Sequence, residues 1–465
     1  MLASVAVAAA VLLAFGHAFL NYDTFYALAW GADLAQGRRP VYDLPFAPTP
    51  HPLAMALGGV LSPLGDLAGE VLLGVVLLGL GALAVGLYRL GAELFAPAVG
   101  ALAAAIVVTR VPFLSFGIRG YVDLPAVALV VWAAVLEVRR PRRGGAVLVL
   151  LALAGLLRPE FWLFSAAYWL WCAAGLSGAG RVRLGALAAV APVLWLASDG
   201  LITGDPLFSL SGTTENAAIL ERPTGLADLV RVTPFRLGEI LRLPELVASA
   251  VGFAAALALL RRPALLPATI AALNGVAFTA FALAGLPLLG RYIFTAAAML
   301  ALFAAVAMVG FLALPEGDRR RALWRVGGLL LLAVVVLFSA AQLGRLGALR
   351  ADIAARDGAQ TDLRAVAELP AVTRAIADCG PVYLPTHRPI PQLAYWTGIP
   401  PQAVRSAGVG RLGPRGTFIA ATSPRVAELA LLDPRDPTPA RLTPPAGWRP
   451  VATNRSWRVV ASCGA

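Results

Sequence analysis

Several short stretches of this sequence set ionisable side chains against apolar runs, where a charge is costly and tends to be functional. The first is NYDTFYALAWGADLAQGRRPVYDLPFAPTPHPL, residues 21–53, with Asp23 just past an apolar run and His51 near its end. A carboxylate at a membrane–water boundary can take the proton from an attacking hydroxyl. The plainer reading is that Asp23 caps a helix beginning near Thr24. The second stretch is GIRGYVDLPAVAL, residues 117–129. Asp123 there could orient an acceptor, share a divalent metal or act only as a cap. Arg119, four residues earlier, could hold a phosphate in two-pronged fashion. The third is Arg158-Pro159-Glu160 inside apolar sequence. Opposite charges there cost several kcal/mol unless paired or hydrated, so they form either a paired turn or the wall of a polar cavity. The fourth is Arg291-Tyr292, where Arg291 either binds a phosphate or snorkels to the interface. His51 reads as an exposed loop imidazole that could contact substrate.

These residues need a scaffold, and composition says which kind. The chain has 465 residues, 59% hydrophobic and 14% charged, with mean hydropathy +0.77. Soluble domains carry about 25% charged residues, so this is a polytopic membrane protein. All basic side chains apart from histidine are arginine, in a background rich in Ala, Gly and Pro that suggests a GC-rich bacterial genome. The formal charge of +12 does not indicate nucleic-acid binding, because the arginines gather in short loops between apolar spans. Residues 1–20 form an apolar first helix without the basic start or cleavage site of a signal peptide. The polar, proline-punctuated segment 21–52 cannot lie in lipid and must face water or line a cavity. A helix is expected near 25–36, and residues 53–64 are short enough to be re-entrant. Further spans are expected near 68–88, 98–116, 122–138, 146–157, 161–176, 184–198, 245–260, 264–285, 292–313 and 326–344, roughly eleven in all. RRPRR at 139–143, RVR at 181–183, RR at 261–262 and DRRRALWR at 318–325 then share the cytoplasmic side. That leaves the 21–52 loop, the 199–244 loop and the C-terminus outside.

Past about residue 350 the apolar runs shorten. Helical spacing over 361–377 and 424–432, with strand patterns at 381–384, 417–421 and 457–461, predicts a small α/β domain. The expected division is a membrane part, 1–345, and an extracytoplasmic α/β domain, 346–465. Cys379 and Cys463 both lie in this tail and could pair if it is outside the cell, or remain two thiols. No P-loop, G-x-S-x-G, dinucleotide fingerprint or H-E-x-x-H pattern is present, and no two histidines have metal-ligand spacing.

Four motifs in order carry a resemblance. LAQGRRPVYD (34–43) precedes PHPL (50–53); YVDLP (121–125) and LLRPEFWLF (156–164) follow; ITGDPLFS (202–209) precedes GRYIF (290–294). Together they resemble the GT-C superfamily of polyprenyl-phosphate-sugar-dependent glycosyltransferases, which includes protein mannosyltransferase relatives and aminoarabinose transferases. The resemblance covers roughly residues 1–345. It implies a multi-pass protein of the bacterial inner membrane that moves a sugar, with inversion, from a polyprenyl-phosphate donor to an extracytoplasmic glycan, lipid or protein. By that likeness Asp23 is the catalytic base, Asp123 a second active-site acid and Arg291 a phosphate ligand. The residues themselves add His51, Arg119, Arg158, Glu160 and Tyr292 as candidate substrate contacts. A divalent metal, Mg or Mn, would use Asp23 and Asp123 if one is needed. The family often pairs two acids in the first loop; here Asp23 is followed by Thr24. The competing classes are a lipid-linked-sugar flippase or transporter, which predicts repeat symmetry between halves, and a non-catalytic envelope-assembly subunit.

Overall fold

Ala, Leu and Val dominate the apolar runs, and a backbone in lipid must close its hydrogen bonds within the segment, so helices form. The computed structural model describes residues 1–433 and 437–464. Among these, six helices are long and apolar enough to cross a membrane: Leu67–Leu94, Gly178–Thr203, Gly225–Leu260, Arg262–Leu283, Gly290–Ala313 and Arg319–Ala367. A seventh results if Pro97–Thr109 and Val111–Ile118, bent by 66° at Arg110, form one span. The count of eleven is not confirmed, because other apolar runs form shorter helices: the first ends at Gly16, of positive φ, and another ends at Arg158, before Pro159. Leu2–Phe15, Pro52–Leu64 and Gly145–Leu157 are apolar helices of only 10–17 residues.

The chain divides into two compact units, and neither is one continuous stretch. The first is Met1–Ala14, Gly74–Ser198 and Pro223–Leu349; the second is Phe15–Leu73, Asp199–Arg222 and Arg350–Ala465. A cut at 345 would fall inside the single helix Arg319–Ala367, whose Gly344, Gly347 and Gly358 do not interrupt it.

The first unit is built around the helix Phe294–Val309, buried along almost its whole length. It packs against Gly225–Ala255, Pro97–Thr109 and Arg262–Leu283. Lipid offers no hydrophobic drive between helices, so close approach of small residues supplies much of the packing. At Gly252, an added Cβ would sit well inside contact distance of the Phe303 carbonyl oxygen. Gly252→Ala is therefore expected to cost about 1–3 kcal/mol, read as a lowered melting temperature in detergent; an unchanged melt would contradict this packing.

The second unit joins the early loop to the tail. The helix Tyr22–Ala35 lies close to the helix Pro52–Leu61, because Gly31 and Gly58 leave no side chain between their backbones. The tail forms five strands: β1 Val382–Leu384, β2 Val404–Ser406, β3 Gly416–Ala421, β4 Arg449–Thr453 and β5 Trp457–Ser462. Their order is β2-β1-β3-β5-β4, with β1 parallel to β2 and β3, and β5 antiparallel to β3 and β4. Val366, Val372, Leu384, Ile419, Trp457 and Val459 form its core. A Cys379–Cys463 disulfide joins the end of the helix Pro370–Cys379 to the residue after β5. Sequence reading missed β2 and β4: one has three residues, and the other is largely exposed without an alternating apolar pattern. Tyr395 and Trp396, on the helix Ile390–Thr397, pack edgewise or tilted on Phe25, so tail and early loop share one core.

Candidate active site

In the first unit the charged residues gather around Arg158. Because Pro159 follows it, Arg158 is held in extended backbone, which ends the helix Gly145–Leu157 and redirects the chain. Its Nη1 lies 3.1 Å from Asp123 Oδ1, and its Nε donates to Glu160 Oε1 at 3.1 Å. All three side chains are about 5% exposed or less. The guanidinium also sits 4.5 Å from the centre of the Tyr292 ring, a cation–π contact. Asp123 opens the helix Asp123–Arg139 yet caps nothing; its carboxylate goes to Arg158 instead. Glu160 Oε2 is buried with no hydrogen-bond partner among the described residues.

Two half-buried arginines border this group. Arg119 lies 5.2 Å and Arg291 5.9 Å from the centre of the Tyr121 ring, and Arg291 is 5.6 Å from that of Tyr292. Arg291 and Tyr292 stand on the short 3-10 turn Gly290–Ile293. Asn274 holds that turn: its Nδ2 donates to the Tyr292 carbonyl and its Oδ1 accepts from the Ala296 N–H, each at 2.9 Å. Guanidinium groups thus lie on and beside two buried carboxylates. Such a cluster can hold a phosphate, while the open Glu160 oxygen can accept from a hydroxyl.

The second unit holds Asp23 and His51. Asn21, not Asp23, caps the helix Tyr22–Ala35, its side chain accepting from the N–H groups of Asp23 and Thr24. The carboxylate of Asp23, in the first helical turn, is thus not the cap. Tyr22, Tyr26 and Trp30 follow at four-residue spacing and meet edge-on or tilted, with Tyr42 and then Phe208 continuing the row. The 21–52 loop is tied to the helix Phe208–Ile219 where Asn216 donates to the Ala47 carbonyl at 3.0 Å and Thr49 pairs with Thr213 at 2.6 Å. His51 is not exposed as expected: it is 6% exposed, held between two prolines at the start of the helix Pro52–Leu61.

His387, in the turn after β1, is also buried, between the rings of Phe46 and Tyr22. Burial, reinforced by the Arg388 and Arg222 guanidinium groups and opposed by Asp23, pushes its imidazole down to about 3. The unfolded chain binds this proton near pH 6.5. The native state is therefore fully stable above that pH and loses up to about 1.4 kcal/mol per unit as pH falls from there towards 3. Melting temperatures measured from pH 7 to 5 should fall, and should fall less steeply in His387→Phe; equal slopes would refute the buried neutral imidazole.

The chain superposes on ArnT from Cupriavidus metallidurans, solved with bound undecaprenyl phosphate, at TM-score 0.58 and 15% identity, covering 98% of this chain and 97% of ArnT. The chain has the GT-C fold. The apo oligosaccharyltransferase of Archaeoglobus fulgidus matches at TM-score 0.49 and 12% identity, over 92% of this chain and 69% of that one. No protein-family model and no curated protein matches the sequence.

On this GT-C scaffold, Arg119, Asp123, Arg158, Glu160, Arg291 and Tyr292 gather in the first unit, while Asp23 and His51 belong to the second. Among the described residues, no group of three or more His, Cys, Asp or Glu side chains could hold a metal ion. Asp123, facing a guanidinium, does not fit a cation. Sequence reading passed over Asn274, whose signal was a lone amide in an apolar helix. It also missed the buried ion pair Arg110–Glu245, with 2.6 Å between Nη1 and Oε1. Its signal was two charges in apolar sequence, each close to a proline, Pro112 and Pro244.

Proposed function

We propose that this chain is an integral-membrane glycosyltransferase that moves a sugar from a polyprenyl-phosphate donor to an acceptor hydroxyl outside the cytoplasm, at the bacterial inner membrane. The observation that carries the reading is the likeness, over nearly the whole of both chains, to a protein whose structure holds undecaprenyl phosphate. The cluster of Arg119, Arg158 and Arg291 supports it, because a guanidinium fork matches the oxygens of a phosphate. In this reading those arginines hold the donor phosphate and offset the charge that grows on it as the sugar leaves. Asp23 takes the proton of the acceptor hydroxyl. The acceptor oxygen bonds to the anomeric carbon as the carbon–phosphate-oxygen bond breaks, and its electron pair departs with the polyprenyl phosphate. One displacement from the opposite face inverts that carbon, with no carboxylate nucleophile required. His51, Glu160 and Tyr292 are assigned to substrate contacts and Asp123 to holding Arg158.

Purified protein in detergent, given radiolabelled polyprenyl-phosphate hexose and crude cell-envelope acceptor, should transfer label to the acceptor. Movement of intact labelled lipid across liposomes without any transfer would overturn this in favour of a flippase.

A further inference from the structure

The tail packs one side chain, which no step above uses, against Tyr22, the residue before Asp23. His387 sits in the turn between β1 and the helix Ile390–Thr397, with its backbone carbonyl accepting from the Ile390 N–H at 3.1 Å. One face of its ring stacks on Phe46, centroids 4.5 Å apart and 26° between planes. Tyr22 meets it edge-on at 5.3 Å, and the Tyr22 hydroxyl donates to the Phe46 carbonyl at 2.7 Å, locking both rings in place. Only the polar edge of the imidazole remains to bond anything. Its Nδ1 is buried and has no hydrogen-bond partner among the described residues, although the ring is only 6% exposed. A buried nitrogen left unpaired is destabilising, which a ligand would relieve.

The charges around it define that ligand. Arg388 and Arg222 act on the ring from its own turn and from the segment before residue 223, and Asp23 acts on it from the helix Tyr22–Ala35. Asp433 pairs with Arg388 at 3.4 Å. The charge of Arg388, the residue next to the ring, is already met by Asp433, so the setting suits a neutral hydroxyl better than a phosphate.

We propose that His387 hydrogen-bonds the acceptor beside Asp23, so that the C-terminal α/β part completes the acceptor site. This rests on the glycosyltransferase reading. The class of ligand is a neutral, hydroxyl-bearing acceptor such as a sugar or a lipid alcohol.

The full-length protein in detergent tests it, with polyprenyl-phosphate hexose as donor and envelope extract titrated as acceptor. His387→Phe keeps an aromatic ring between Phe46 and Tyr22 but removes the nitrogen. It should raise the apparent acceptor KM about tenfold, the effect of one lost hydrogen bond, while the donor KM moves far less. His387→Asn, whose amide reaches about where Nδ1 stands, should restore the acceptor KM to within about threefold of wild type. If His387→Phe does not accumulate in membranes, His387→Leu is compared with His387→Asn in the same way. An unmoved acceptor KM, or an Asn variant no better than the apolar one, would reduce His387 to packing and overturn the inference. Wild-type protein with no transfer at all would instead refute the enzyme reading, and the inference with it.

Discussion

Asp23→Asn is expected to lower sugar transfer by about 10²–10⁴-fold, the contribution of a positioned general base, while the protein still reaches the membrane and melts near the wild-type temperature. The two halves of this expectation have separate physical grounds. The amide keeps the shape of the carboxylate but cannot accept the acceptor's proton. Helix formation does not depend on the charge, because Asn21 supplies the cap and accepts from the N–H groups of Asp23 and Thr24. An ordinary capping residue would show the reverse pattern: about 1 kcal/mol of lost stability and little change in turnover. The measurement is a single-turnover transfer rate beside a thermal melt in detergent. Turnover near the wild-type rate would remove Asp23 from its assigned role.

The second large effect is on stability. Among the described residues, Arg158 is the one guanidinium within ion-pair distance of both Asp123 and Glu160, at 3.1 Å from each, and these side chains are about 5% exposed or less. An exposed pair would contribute about 0–1 kcal/mol. Here water and salt are excluded, so removing the cation leaves two buried carboxylates facing each other. Arg158→Met should therefore cost about 3–5 kcal/mol, seen as a sharply lowered melt or poor accumulation in membranes. Adding Asp123→Asn and Glu160→Gln to Arg158→Met removes the stranded charge and should recover much of the loss. Arg158→Lys keeps the charge but loses the fork and the flat contact with Tyr292, so an intermediate result is expected. A stable Arg158→Met protein would mean that the two acids are not charged in the native state. Transfer is lost in Arg158→Met and stays lost in the neutralised triple variant, since the phosphate-binding role does not return with stability.

The membrane class and the GT-C fold could be read from the amino-acid order, because both rest on local quantities. Long apolar runs and a low charged fraction demand lipid, and the spaced motifs from 34–43 to 290–294 carried the likeness. The strands near 382, 417 and 457 were also legible, since each has its own run of β-branched and aromatic residues. The number of spans was not, because hydropathy does not tell a crossing helix from a short one such as Leu2–Phe15 or Gly145–Leu157. Nor was the division of the chain, since three separate stretches fold together into the second unit.

The polar side chains stood out in the sequence as misplaced charges, but their partners did not. That Asp123 faces Arg158, that Asn274 braces Tyr292 and that a tail histidine lies against the first loop all depend on packing. The Asp123–Arg158 and Tyr22–His387 contacts join residues far apart along the chain, and no local pattern encodes which distant element will close on which. The order of residues set which groups had to leave lipid or find a counter-charge. The fold chose the partner, because only the packed backbone brings a donor and an acceptor within hydrogen-bond reach.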